Sequence, residues 1–262
     1  MRRGSLVILM YHSIDESGSV ISVSPATFRH HMASLARDGF RVLALSTVAE
    51  HLRRGEAFPE RSIAVTFDDG FVNTYTTGFP VLQKYGFSAT VFLVTGHVGR
   101  VNDWPSQPRQ IPRLPLLSWP QIEEMGRHGI CFGAHSVSHP LLPAIPRREA
   151  EREIGESREA IEAYLQRPVE FFAYPYGRHD GGIRDVVASL FQGACSTRPG
   201  QVHARSDPWA LGRLDVCYVA RAPLFKLLST PLLPSYLGLL RLLRSAREGL
   251  RLGTTDPRST GY

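Results

Sequence analysis

Two adjacent carboxylates and a pair of histidines are the groups in this sequence best suited to chemistry. Asp68 and Asp69 directly follow the apolar run 62–67, which predicts a buried strand. His135 and His139 follow a second run of this kind. Burying carboxylates at the end of a strand costs free energy, and the usual reasons for it are a bound cation that balances their charge or a role in proton transfer. One carboxylate with two imidazoles can hold a divalent metal and keep positions open, which leaves the second carboxylate to act as a base.

The elements that must position these groups alternate along the chain. Apolar runs predict strands at 6–11, 41–43, 62–67, 89–94, 130–134, 169–173, 193–196 and 211–216. Capping residues and apolar periodicity predict helices at 25–37, 46–54, 79–85, 119–128, 147–165 and 181–191, with a loop at 96–117. Such alternation indicates an α/β fold, a barrel of about seven parallel strands. Catalytic groups belong at the carboxyl ends of such strands, which favours one shared site.

The bulk composition excludes several classes of function. The chain has 262 residues, enough for one large α/β domain or two small ones, with 21% charged residues and a net charge of +6. Its central part has no basic stripe interleaved with aromatic residues, so nucleic-acid binding is not expected. Three cysteines without a close pair predict buried free thiols. The apolar run at 6–10 is too short for a signal peptide and predicts the first strand instead.

Three motifs, in this order and spacing, resemble the NodB-like polysaccharide deacetylases, carbohydrate esterase family 4. They are Thr-Phe-Asp-Asp-Gly at 66–70, His-Ser-Val-Ser-His at 135–139 and Phe-Ala-Tyr-Pro-Tyr-Gly at 172–177. The resemblance spans roughly residues 6–216. It implies a distorted (β/α) barrel that hydrolyses N-acetyl or O-acetyl groups on sugars.

The resemblance also implies roles for individual residues. Asp69, His135 and His139 would hold a divalent metal, usually zinc, and Asp68 would be the general base. The backbone N–H of Tyr176 would donate to the oxygen on which negative charge develops.

This chain departs from the family pattern at two positions. Many relatives carry an arginine in the third motif where this chain has Ala173, and Arg213 could supply that charge or could form a surface ion pair. The family's C-terminal Leu-x-His is absent. However, His12 ends the first strand, which lies beside the last strand in a barrel, as in the apparently permuted poly-N-acetylglucosamine deacetylases. We expect His12 to be the general acid, with a structural hydrogen bond in the core as the alternative.

Residues 223–262 are predicted to form a tail outside the deacetylase domain at 1–222. Arginines cluster on one helical face, at 241, 244, 247 and 251, and apolar residues on another, at 239, 242, 243, 246 and 250. Such a helix can rest on an anionic membrane or pack on the barrel by its leucines. Residues 253–262 are predicted to be disordered.

The expected protein is therefore a metal-dependent hydrolase that removes acetyl groups from an N-acetylated sugar in a polysaccharide, oligosaccharide or lipid-linked glycan. A hydrolase of non-sugar amides and a non-catalytic glycan-binding protein with a relic site are the alternatives. We expect a cytoplasmic location, with contact to the inner face of the membrane left open. Trp104 and Trp119 could face the sugar cleft, although packing at a helix start is favoured for Trp119. Histidines without a partner motif, such as His31, are expected to be solvated.

Overall fold

The computed structural model describes residues 4–252, with side chains described through residue 246. The strands are β1 (Ser5–Tyr11), β2 (Ser13–Ile14), β3 (Ser22–Val23), β4 (Arg41–Val42), β5 (Ser62–Phe67), β6 (Ala89–Leu93), β7 (Ile130–Ala134), β8 (Phe171–Ala173), β9 (Gly193–Cys195), β10 (Val202–His203) and β11 (Leu214–Asp215). The α-helices are α1 (Pro25–Arg37), α2 (Leu45–Arg54), α3 (Phe79–Tyr85), α4 (Trp119–Arg127), α5 (Arg147–Leu165), α6 (Gly181–Leu190), α7 (Ala222–Phe225) and α8 (Leu233–Leu252).

Seven parallel segments curl into a distorted barrel. Neighbouring strands follow the order β1, β5, β6, β7, β8 and β9, and each of these pairs is parallel. Residues 211–215 close the ring, because Leu211 bridges Cys195 of β9 and Leu214 lies opposite Leu9 of β1. The predicted (β/α) barrel is therefore confirmed. The antiparallel strand β10, which pairs with the start of β1, was not predicted.

Local sequence explains where the helices around this barrel begin. The side chain of Ser24 caps α1 by accepting a hydrogen bond from the backbone N–H of Thr27, and Pro25 is the first helical residue. Ser118 and Gln121 form a reciprocal capping box at the start of α4. These caps fix the ends of helices whose apolar faces cover a sheet with fully buried central strands β1 and β5.

The segment at 96–117, predicted as a loop, has a small hydrophobic core of its own. Buried apolar side chains hold it against the barrel: Ile21, Phe71, Val94, Trp104, Ile111 and Leu116. The buried side chain of Asn102 accepts from the backbone N–H of Leu114 and donates to the carbonyl of Pro112. We call residues 99–117 the arm.

Helix α8 packs on the barrel through leucines other than those predicted. Leu233, Leu237 and Leu240 are buried in the main core. The predicted packing face is instead open to solvent, with Leu239, Leu242 and Leu243 exposed by 52%, 71% and 49%. Packing by those leucines was one of the two alternatives that the sequence left open, and the structure does not show it. The direction from which α8 meets the barrel decides which leucines are covered, and the periodicity of the helix does not encode that direction.

Other predictions for the tail are not decided by the described structure. The side chains at 247, 250 and 251 and the predicted disorder at 253–262 lie outside the described residues. The division at residue 222 stays a prediction. Among the described residues, no helix combines the length and apolarity needed to cross a membrane.

Two expectations about polar side chains are wrong. His31 is buried rather than solvated, because the Tyr11 hydroxyl lies 2.9 Å from its Nδ1 and the carbonyl of Ala220 lies 3.2 Å from its Nε2. Its ring also stacks on Phe225 at 3.8 Å between centroids. Cys131 is exposed although it belongs to β7, whereas Cys195 is buried as predicted and all three cysteines are free.

Candidate active site

The carboxyl ends of adjacent strands bring the predicted groups to one end of the barrel. His12 follows β1, Asp68 follows β5 and His135 follows β7. Strands β1 and β5 are in register with Tyr11 opposite Phe67, and the backbone N–H of Asp68 donates to the carbonyl of Tyr11 at 2.9 Å. His12 and Asp68 therefore leave neighbouring strands side by side.

Asp69, His135 and His139 form a buried cluster of candidate metal ligands. Their ligand atoms all lie within 4.8 Å of one another. The Nε2 atoms of His135 and His139 lie 3.5 Å and 3.6 Å from Oδ1 of Asp69. Metal–ligand bonds of about 2.0–2.2 Å place the ligands of a tetrahedral ion roughly 3.3 Å apart, close to the separations seen here. The cluster thus has the donors and the spacing of a divalent metal site.

The electrostatics of this cluster also fit a bound cation. Both carboxylate oxygens of Asp69 are buried and make no hydrogen bond within the described part of the chain. Burial, followed by the neighbouring charge of Asp68, raises the pKa of Asp69 well above its ordinary value. Burial lowers the pKa of His135 to about 4 and holds the pKa of His139 well below its ordinary value. The imidazoles are therefore neutral, the form that binds metal, and an ionised Asp69 requires positive charge beside it.

Arg213 pairs with Asp68 rather than forming a surface ion pair. Its Nη1 and Nη2 each donate to one carboxylate oxygen of Asp68 at 2.6 Å, and its Nε donates to the carbonyl of Ser196 at 2.9 Å. Arg213 is fully buried. Burial, the largest single influence, would raise the pKa of Asp68, but the Arg213 guanidinium together with His135 and His12 outweighs burial and the pKa lies below its ordinary value. Arg213, which belongs to the segment 211–215 that closes the barrel, thus supplies the positive charge that Ala173 lacks.

His12 also lies close to Asp68. Its Nε2 is 4.0 Å from Oδ2 of Asp68, and the ring is buried. Burial lowers the pKa of His12, although the carboxylates of Asp68 and Asp215 act in the opposite direction. The arrangement places one imidazole outside the ligand cluster but next to the carboxylate that is predicted to act as a base.

Comparison with known proteins identifies the family. The family model described as polysaccharide deacetylase matches residues 55–191, which is 137 of the 262 residues and more than half of the chain. The chain belongs to the polysaccharide deacetylase family. Family membership confirms the resemblance seen in the motifs and makes the protein a hydrolase that acts on carbon–nitrogen bonds other than peptide bonds.

Individual relatives agree with this assignment. The poly-β-1,6-N-acetyl-D-glucosamine N-deacetylase of Staphylococcus epidermidis is 29% identical, over 78% of this chain and 71% of the relative. A polysaccharide deacetylase from Bacillus cereus is 28% identical, with a TM-score of 0.67 over 81% of this chain and 65% of that chain. IcaB from Ammonifex degensii, 24% identical, has the same fold with a TM-score of 0.73 over 90% of this chain and 97% of that chain.

In this polysaccharide deacetylase, the third motif forms a tight turn against the ligand cluster. Tyr176 has a left-handed backbone with φ of 57°, and its ring meets the ring of His139 edge-on at 4.6 Å between centroids. Gly177 is also left-handed, and a Cβ there would lie 2.1 Å from Oγ1 of Thr197. That hydroxyl donates to the carbonyl of Tyr176 at 3.2 Å, and Arg244 of α8 donates to both oxygens of Thr197. Arg244, a residue of the predicted tail, therefore supports the turn of the third motif through Thr197.

Unusual backbone conformations concentrate around the site. Non-glycine residues with positive φ are a source of strain that persists where the surroundings over-determine the conformation. Four of them lie in the three motifs: Asp69 (70°), Ser136 (65°), His139 (56°) and Tyr176 (57°). No sequence pattern distinguishes these positions, because none of them is a glycine.

Sequence reasoning missed a carboxylate that shapes the histidine motif. Glu153 of α5 accepts hydrogen bonds from the backbone N–H groups of Val137 and Ser138 at 2.8 Å each, and from the Ser138 hydroxyl at 2.6 Å. It holds the turn that presents His135 and His139 to Asp69. Within the helical pattern at 147–165 it resembles any solvent-facing glutamate, so the sequence offers no signal for this role.

The two tryptophans differ in their surroundings. Trp119 stacks on Tyr164 at 4.7 Å between centroids, at the first position of α4, which confirms the predicted packing at a helix start. Trp104 is only 2% exposed, so it is not an open platform for a sugar. Its ring instead lies 4.6 Å from the ring of His139.

Proposed function

We propose that this chain N-deacetylates a glycan built from N-acetylated amino sugars, with a divalent metal held by Asp69, His135 and His139. The observation that carries the proposal is that the ligand atoms of these three residues lie within 4.8 Å of one another. A second carboxylate, that of Asp68, lies beside them and accepts two hydrogen bonds from Arg213. The poly-β-1,6-N-acetyl-D-glucosamine N-deacetylases among the relatives support an N-acetylglucosamine polymer as the substrate class.

The donor set of one carboxylate and two neutral imidazoles favours zinc as the ion. When bound, such an ion acts as a Lewis acid toward the acetyl carbonyl and lowers the pKa of water. His135 is oriented for this role because its Nδ1 donates to the carbonyl of Ala173 at 2.7 Å, which turns Nε2 toward Asp69.

Asp68 is the proposed general base. It takes a proton from the water that attacks the acetyl carbon, and Arg213 keeps its carboxylate ionised and fixed in orientation. Oxygen from water joins the acetyl carbon and the carbon–nitrogen bond breaks, which releases acetate.

His12 is the proposed general acid that protonates the leaving nitrogen, and its Nε2 lies 4.0 Å from Oδ2 of Asp68, the proposed base. The backbone N–H of Tyr176 is the proposed donor to the carbonyl oxygen as charge develops there.

The test is acetate release from oligomers of β-1,6-linked N-acetylglucosamine by the purified protein. We expect release that a chelator abolishes and that added zinc restores. Asp68→Asn should retain bound metal and lose at least about a hundredfold in kcat, because general-base catalysis contributes on the order of 10²–10⁴. Bound metal without acetate release from any N-acetylated oligomer would reject the proposal in favour of a glycan-binding protein.

Two finer predictions remain proposals. Contact of α8 with a membrane would use its exposed leucines at 239, 242 and 243, and co-sedimentation with anionic vesicles tests it. The predicted cytoplasmic location is tested by cell fractionation.

A further inference from the structure

The two histidine ligands differ in how their rings are held. In metal sites, the nitrogen that does not bind the metal commonly donates a hydrogen bond, which fixes the ring. His135 follows this rule through its bond to Ala173. The Nδ1 of His139 is buried and makes no hydrogen bond within the described part of the chain. Contacts other than a hydrogen bond to another residue can therefore orient the ring of His139 toward Asp69.

Two aromatic side chains contact the ring of His139. Trp104 lies at 4.6 Å between centroids with the ring planes tilted by 33°, and Tyr176 meets the ring edge-on, also at 4.6 Å. Trp104 comes from the arm, whereas Tyr176 comes from the turn after β8. The orientation of His139 thus depends on two segments that are far apart in sequence.

Ser106 joins those two segments to the backbone of His139 itself. Its hydroxyl donates to the carbonyl of His139 at 2.7 Å and accepts from the hydroxyl of Tyr176 at 2.9 Å. The Tyr176 hydroxyl also lies 3.0 Å from the carbonyl of Ser106. One serine therefore ties together the ligand, the arm and the turn.

We propose that Trp104, Ser106 and Tyr176 form an aromatic clamp that positions His139 as a metal ligand in place of the missing hydrogen bond. The inference rests on the proposed metal site. The arm can hold Trp104 and Ser106 in place because a small hydrophobic core and the buried amide of Asn102 fix the shape of the arm. Ser106 and Tyr176 act through His139, so both are positioning residues in this role.

The test measures binding of Co²⁺ alone to the metal-free protein, by titration and by the visible absorption spectrum of the bound ion. We expect Ser106→Ala and Tyr176→Phe each to weaken Co²⁺ binding about tenfold and to alter the absorption spectrum. Tenfold is the lower end of the loss in affinity that follows removal of a partner that orients a metal ligand. The double variant should bind no more weakly than either single variant, because both break the same link. Ser106→Thr should restore wild-type binding, since it keeps the hydroxyl.

Ser189→Ala is the matched control. Ser189 also donates to a backbone carbonyl, that of Val186 at 2.7 Å, but on the exposed surface of α6. It should leave Co²⁺ binding unchanged. Circular dichroism melting of the metal-free proteins checks that the variants fold, and an altered spectrum in folded Ser106→Ala supports the clamp. Wild-type affinity and spectrum in both single variants would overturn the clamp and leave the proposed function standing. No Co²⁺ binding by the unmodified chain would overturn the proposed metal site together with the clamp.

Discussion

Removal of Arg213 should lower the free energy of unfolding far more than removal of an arginine that makes a doubly hydrogen-bonded carboxylate pair at the surface. Arg213→Met leaves the carboxylate of Asp68 buried without its two charged donors at 2.6 Å. Loss of one partner from a buried ion pair costs about 3–5 kcal/mol, because the remaining charge stays out of water. We expect the free energy of unfolding to fall by roughly this amount.

The chain offers a matched control in Arg184. It also donates two hydrogen bonds to one carboxylate, from Nε and Nη2 to Asp207 at 2.9 Å each, but the two side chains are 33% and 41% exposed. Exposed pairs contribute about 0–1 kcal/mol, since water and salt screen them. Arg184→Met should therefore change stability little, and its acetate release should match wild type.

The assay is urea unfolding of each variant together with acetate release. Arg213→Met should lose about a hundredfold or more in kcat, because the base loses the group that keeps it ionised and aligned. The double variant Arg213→Met with Asp68→Asn should recover part of the stability, since no buried charge is left alone, while activity stays lost. Equal losses of stability for Arg213→Met and Arg184→Met would refute the reasoning.

Three further predictions follow from contacts around the site. Glu153→Gln should weaken Co²⁺ binding about tenfold, because it disturbs the turn that carries the histidines, while the exposed Glu156→Gln should not. Arg244→Ala should lower kcat about fivefold, because its two hydrogen bonds to Thr197 beside the turn of the third motif together contribute roughly 1 kcal/mol, whereas Arg241→Ala on the exposed face of α8 should have no effect. Burial lowers the pKa of His31 to about 4, below its unfolded value, so the stability it contributes is present above about pH 6.5 and is lost as the pH falls toward 4. That loss is at most roughly 3 kcal/mol, and urea unfolding of His31→Gln should show a flatter dependence across this window.

Much of the fold could be predicted because its signals are local. Caps at Ser24 and Ser118 fix helix starts, and apolar runs fix the central strands. The site residues follow from the same pattern, since parallel strands present their carboxyl ends at one edge. His12 and Asp68 could therefore be expected together, although they are far apart in the chain.

The remaining features depend on contacts between distant segments. Glu153 and Ser106 hold the histidine motif from a helix and from the arm, and a single sequence does not show which distant groups meet. The same limit applies to α8. Its periodicity shows that leucines line the helix, but the barrel surface decides that Leu237 is covered and Leu242 is not.

The fold places the two adjacent aspartates in different electrostatic environments. Asp68 continues the register of β5, so its side chain meets Arg213 on the closing segment and its charge is balanced within the protein. Asp69 turns away with a φ of 70° and meets two neutral imidazoles, so its charge is not balanced by a bonded side chain. A carboxylate already paired with a guanidinium is a poor ligand but remains a usable base. The unpaired one stays ionised in a buried site when a cation joins it. The assignment of base and ligand thus follows from which aspartate the arginine reaches.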